Sequence, residues 1–174
     1  YIHLVKVIRL KIGDEISLFN NTSGEWKCEI VDIKNNFLKA KAISQISSPR
    51  SEALIDLMFS PIKYQNSEAI IRQATEMGVR SLFPTTFKRT INKKINLDKF
   101  NAYALGATQQ SGRLSIPKID KLNDLKSRSD ILSDKTVLMF DENLEGIHLS
   151  QAKIKSKDEI LVIIGPEGGF EEEE

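Results

Sequence analysis

Three short runs of almost unbroken apolar residues, at 53–59, 136–140 and 159–164, restrict this chain to few architectures. A strand with one face in water alternates apolar and polar residues. A continuous run marks burial on both faces, as in the inner strands of a parallel sheet. Segments of helical spacing lie between the runs. Residues 65–77 carry apolar side chains three and four apart, with Asn66 or Ser67 placed to cap the start and Gly78 to end it. Residues 97–110 repeat the pattern through Leu97, Phe100, Ala104 and Ala107, and Gly112 stops it. A further strand is expected over 79–83. Strands alternating with helices of this length predict an α/β domain with a mainly parallel sheet.

The front of the chain has another rhythm. Helical spacing over residues 1–10 ends at the turn Gly13-Asp14. Strand-like runs follow at 15–19, 26–33 and 37–46, separated by Asn20-Asn21 with Gly24 and by Asn35-Asn36. Short strands joined by turns predict a small β-barrel with Phe19 and Trp26 in its core. The polar stretch Ser47-Ser48-Pro49-Arg50-Ser51 reads as a linker, which gives two domains, 1–48 and 49–174.

Of the 174 residues 40% are hydrophobic and 28% charged, enough apolar material for a core. No apolar run reaches the roughly 18 residues of a membrane span and no signal peptide is visible, so the default is a soluble, cytoplasmic protein. Cys28 is the sole cysteine and His3 and His148 the only histidines, which leaves no metal-ligand cluster and no Cys-His or Ser-His-Asp nucleophile. The net charge of +1 conceals an asymmetry. Residues 1–128 hold 21 Lys/Arg against 12 Asp/Glu, a net +9, whereas 129–174 hold 4 against 12, a net −8. A basic front points to a polyanion such as nucleic acid, the alternative being ordinary solvated surface. Arg80, Lys88, Arg89, Lys93 and Lys94 surround one loop that can grip a phosphate backbone. The chain opens at Tyr1 with an apolar pattern already running and closes on four glutamates suited to a first helical turn, so it reads as cut at both ends.

The sharpest local signal is Ile163-Ile164-Gly165-Pro166-Glu167-Gly168-Gly169-Phe170, an apolar strand leaving its carboxyl end into a glycine-rich loop. Ligands of open α/β sheets sit at that edge. The loop lacks the Lys-Ser/Thr of a phosphate-binding loop, and Glu167 with glutamates 171–174 repels phosphate. Backbone amides and carbonyls beside a carboxylate suit a neutral or cationic ligand, such as a sulfonium. A tight strand-to-helix turn with no ligand is the other reading.

Residues 162–170 resemble the cofactor loop of the RsmE-type methyltransferases of the SPOUT superfamily, which methylate a uridine of small-subunit (16S) ribosomal RNA at base nitrogen N3. Three further stretches agree in order and spacing. His3-Leu4-Val5-Lys6-Val7-Ile8-Arg9-Leu10 with Gly13-Asp14 resembles the start of the family's RNA-binding domain. Lys63, Glu68, Ala74-Thr75-Glu76-Met77-Gly78-Val79 and Pro84 resemble its first catalytic helix, and Gln110-Ser111-Gly112-Arg113 with Ile116-Pro117 its central motif. Gln73 and Gln109 depart from the family's usual lysine and glutamate.

The resemblance implies an α/β SPOUT domain with a trefoil knot, incomplete in this chain, behind a small PUA-like β-barrel. It implies S-adenosyl-L-methionine as cofactor, held by Gly165, Pro166, Glu167, Gly168 and Gly169 with Phe140 and Asp141. Arg113 is implied in the methyl-transfer step, and Arg9, Lys63, Arg72, Arg89 and Gln110 in binding RNA. The partners implied are the small ribosomal subunit and a second copy in a homodimer, with the active site near the subunit interface. Two alternatives remain at this point: a relative that binds RNA without catalysis, and a SPOUT methyltransferase acting on another RNA.

Overall fold

The computed structural model describes residues 2–34, 36–62, 64–141, 146–155 and 158–174. The chain divides into two compact units, Tyr1–Ser51 and Glu52–Glu174. In the first, a helical turn at Ile2–Val7 precedes three antiparallel strands, β1 (Glu15–Asn20), β2 (Gly24–Lys34) and β3 (Phe37–Ser47), in the order β1-β2-β3. Of the expected barrel, the described residues supply this three-stranded meander. Asn20 makes its first turn by accepting from the Thr22 and Ser23 amides at 3.0 and 2.5 Å. Register shifts between Glu25 and Trp26, Lys27 and Cys28, and Ile30 and Asp32 bend β2. Cys28 and Ile30 are its buried apolar residues, whereas Phe19 and Trp26 are only partly buried.

The second unit is α/β. Its elements are β4 (Ile55–Phe59), α1 (Tyr64–Glu76), β5 (Ser81–Thr86), α2 (Leu97–Ser111), β6 (Lys118–Ile119), β7 (Asn123–Asp124), α3 (Ser129–Ser133), β8 (Thr136–Phe140) and β9 (Ile160–Ile164). Parallel pairing gives the order β6-β5-β4-β9-β8, with β7 alongside the far end of β5. The three apolar runs are β4, β8 and β9, adjacent in the sheet. Strand alternation sends Leu57 and Phe59 to one face, where they pack on Ile71 and Ala74 of α1 and Phe100 and Ala104 of α2. Met58, Leu161 and Ile163 take the other face with Phe87, against Leu125, Ile131, Leu132 and Phe170.

Helix α2 obeys the local rules for helix ends. Asn96 caps α2 by accepting from the Lys99 amide at 3.0 Å, and Gly112 ends it at φ 67°, a left-handed conformation that costs glycine least. Helix α1, however, begins at Tyr64, ahead of both residues expected to cap it. Ser67 sits within the first turn and donates its hydroxyl to the Ile62 carbonyl at 3.0 Å. No described helix is long and apolar enough to cross a membrane.

Candidate active site

Strands β4, β9 and β8 run parallel and in register, with Phe59 opposite Ile164 and Ile164 opposite Phe140. Ser60, Gly165 and Asp141 therefore leave the sheet side by side, on strands about 4.8 Å apart. The Ser60 amide donates to the Ile164 carbonyl at 3.1 Å, carrying the pairing one step past the strands. The glycine-rich loop then folds tightly, the Gly169 amide returning to the Pro166 carbonyl at 3.0 Å. A Cβ on Gly165 would stand 2.6 Å from the Phe170 ring, so that close approach requires glycine. Phe170 meets Phe87 edge to face, with centroids 5.3 Å apart.

The loop after β5 forms the neighbouring wall. Thr90 Oγ1 accepts from the Phe87 amide at 2.8 Å and bonds Ser60 Oγ at 2.9 Å, which fastens this loop to the end of β4. From it Arg89 donates Nη1 to the Gly168 carbonyl at 2.7 Å and Nε to Glu171 at 2.6 Å. Lys88 pairs with Glu173 at 2.5 Å. Two members of the predicted basic cluster are thus engaged by the acidic tail.

Beside the edge strand β8 lies an open groove of about 650 Å³, lined by residues 137–141 and 146–149 with Ala152. Phe140, half exposed, and Asp141 lie on its wall. His148 is there too, capping the turn Leu149–Gln151 by accepting from the Ser150 amide at 3.3 Å. The volume is in the range of small-molecule cofactor sites, and apolar walls with a carboxylate suit an aromatic, positively charged ligand. S-adenosyl-L-methionine has that chemistry, so the residues present fit it.

The remaining predicted residues lie elsewhere. Arg113, expected at the methyl-transfer step, has its guanidinium bound within one protomer near the starts of β4 and β5. It donates to the Thr75 and Val79 carbonyls at 3.1 and 2.7 Å, to Ser115 Oγ at 3.0 Å and to Glu52 at 3.1 Å. Glu52 precedes β4 and Val79 precedes β5, while Gly165 follows β9, so a five-residue strand, about 16 Å, separates them. Within one protomer Arg113 is a structural pin. Gln110, exposed near the end of α2, is close to it in sequence. Arg72 is exposed on α1 with Glu76 at 3.9 Å. Arg9 is an exposed residue of the first unit at φ 64°. Lys63 lies outside the described residues.

Arg80 also leaves the predicted phosphate grip. It stands before β5, where it holds Asp56 at 2.7 Å and Glu159 at 2.6 Å, and Lys135 joins Asp56 from the start of β8. The network thus clasps the starts of four strands. Burial alone would raise the Asp56 carboxyl, but hydrogen bonds and charge from Arg80 and Lys135 hold it below the ordinary value. Arg128, buried, is a second pin that sequence reading missed. It pairs with Asp120, donates to the Pro84 and Lys121 carbonyls at 3.1 and 2.8 Å, and stacks 5.4 Å from the Phe83 ring centroid. Among the described residues, no group of three His, Cys, Asp or Glu side chains is placed to hold a metal ion.

An RNA methyltransferase domain profile matches residues 49–174, and an RNA methyltransferase PUA domain profile matches residues 2–43. The ribosomal RNA small subunit methyltransferase E of Rickettsia conorii is 31% identical over 179 residues, covering 100% of this chain and 72% of the relative. The chain belongs to this methyltransferase E family. Methyltransferase E 2 of Borreliella burgdorferi is 30% identical, covering 100% of this chain and 74% of the relative. The methyltransferase E of Neisseria gonorrhoeae, solved bound to S-adenosyl methionine, superposes with a TM-score of 0.82 at 19% identity, over 99% of this chain and 73% of that one. That likeness is one of fold: the α/β SPOUT fold behind a PUA-like domain, as the family motifs implied.

Proposed function

We propose that this chain transfers a methyl group from S-adenosyl-L-methionine to the N3 nitrogen of a uridine in the 16S RNA of the small ribosomal subunit. The observation that carries the reading is the joint exit of Gly165 and Asp141 from paired strands, beside the groove along β8. Bound there, the cofactor supplies an electrophilic methyl group. The protein's own tasks are to hold that group and to bring the uracil nitrogen to it. Gly165, Pro166, Glu167, Gly168 and Gly169 offer backbone groups with one carboxylate, and Phe140 and Asp141 offer an apolar wall ending in a second. Arg9, Arg72 and Gln110 are exposed and serve as RNA contacts together with Lys63. The imide nitrogen reacts as its anion, so the RNA-bound state must bring a base or a cation to it. Arg113 is proposed for the methyl-transfer step, acting across the subunit interface of the dimer. The working unit is a cytoplasmic homodimer with its active site near the subunit interface, which sedimentation of the intact protein checks.

The deciding experiment incubates intact protein with small ribosomal subunits and methyl-labelled cofactor, then digests the RNA to nucleosides. Label in 3-methyluridine is the expected result. Label on ribose or on another base would move the reading to a different RNA modification. Tight RNA binding without transfer would make the chain a binding protein.

A further inference from the structure

We infer that Arg89 is a positioning residue for the cofactor loop, holding it from the neighbouring loop, and not a contact for RNA phosphate. The inference rests on the reading of residues 165–169 as the cofactor site. Arg89 Nη1 donates to the Gly168 carbonyl at 2.7 Å and Nε to Glu171 at 2.6 Å, so one guanidinium spans the exit of the turn. Its aliphatic stem runs along the same residue: a Cβ on Gly168 would stand 3.4 Å from Arg89 Cβ and 3.5 Å from Cδ. A planar fork reaches two acceptors in different directions, which an ammonium does only at the cost of one.

The base from which Arg89 reaches is itself fixed. Thr90 ties the Phe87 amide to Ser60, and Phe87 packs edge-on against Phe170. Contacts on both sides of residue 89 therefore fix its backbone to strand β4 and to the far end of the glycine-rich turn. Such a turn loses much backbone freedom on ordering, and ordering it before the ligand arrives removes that cost from binding. Glu171 already offsets the charge of this guanidinium, which weakens its pull on an RNA phosphate. Lys93 and Lys94, exposed on the same connection, suit RNA better.

The test compares intact wild-type protein with Arg89→Ala, Arg89→Lys and Glu171→Gln. Calorimetry reads S-adenosyl-L-methionine affinity, filter binding reads affinity for a small-subunit RNA fragment, and amide exchange reads the ligand-free loop. Arg89→Ala is expected to raise the cofactor Kd and KM at least tenfold, leave the RNA Kd and KM within twofold, and speed exchange at 165–169. Arg89→Lys recovers part of the loss, and Glu171→Gln shows at least a threefold loss in the same direction. If Arg89→Ala does not fold, Glu171→Gln decides alone. Cofactor affinity within twofold of wild type, or a larger loss for RNA than for cofactor, overturns the inference. Asp141→Ala separates the failures: if it weakens cofactor binding while Arg89→Ala does not, the inference falls and the loop reading stands. Wild-type protein that binds no cofactor removes both.

Discussion

Arg113 shows how far a residue's surroundings can depart from its motif. Its side chain is only 10% exposed and holds two carbonyls, a hydroxyl and the Glu52 carboxylate. Removing it leaves those acceptors without their donor, and Arg113→Ala is expected to cost about 2–4 kcal/mol. A thermal melt should drop by about 10 °C on that scale; a melt within two or three degrees would return Arg113 to the surface. Nothing local announced this role, because its partners Glu52, Thr75 and Val79 lie 61, 38 and 34 residues away in sequence. Arg89 was hidden in the same way, since Gly168 and Glu171 lie 79 and 82 residues from it. Asp56 and Asp120 set the acid limit of the fold. Burial works against both charges, but Arg80 and Lys135 around the first, and Arg128 beside the second, hold both carboxyls below the ordinary 3.8. Groups depressed on folding lend stability above the unfolded value and lose it as pH falls through the folded one. Urea unfolding is therefore expected to give a level stability from pH 7 to 5 as far as these groups contribute, and a steady loss below about pH 4. Asp56→Asn should flatten that loss; an unchanged slope would show that its clasp does not matter.

Among the elements, those with a run of four or more apolar residues were legible and the two-residue strands were not. The runs at 136–140 and 159–164 became β8 and β9 within a residue, but the expected burial on both faces fails at β8, an edge strand whose Val137, Met139 and Phe140 are exposed because it pairs with β9 on one side among the described residues. Strands β6 and β7 have two residues each, too few for any periodicity, and are held by pairing along β5. The tight turn at 165–169 was legible from its glycines, but the groove along β8 was not, since it depends on β8 lying at the sheet edge. That loop separates two kinds of glycine. At Gly165 an added Cβ drives into Phe170, whereas at Gly168 it meets only the stem of Arg89 at ordinary contact distance. Gly168→Val should therefore fold with a near-normal melt while its cofactor Kd rises at least tenfold. Calorimetry showing unchanged affinity in the folded variant would take the loop out of the site.

At the scale of the molecule, the charge asymmetry read along the sequence shrinks when it is counted by unit. The basic stretch and the acidic tail share one unit, where Arg80 meets Glu159, Lys88 meets Glu173 and Arg89 meets Glu171. By unit, Tyr1–Ser51 holds 8 Lys/Arg against 5 Asp/Glu, a net +3, and the remainder a net −2. The positive excess belongs to the unit matched by the PUA profile.

The position of β9 has a consequence for how the chain is made. It fills the slot between β4 and β8, yet Ile164 is added 105 residues after its neighbour Phe59. At a translation speed of about 5–20 residues per second, one margin of β4 stays open for roughly 5–20 s, and β8 is made before its ladder partner β9. A chain ending at residue 159 and released from the ribosome should thus resist protease over β4, α1 and β5 but be cut within Thr136–Phe140, and a released chain ending at residue 174 should close that site. Equal protection of both chains would mean that β8 finds another partner while it waits. Until then, the ribosome carries a sheet with a gap one place in from its margin.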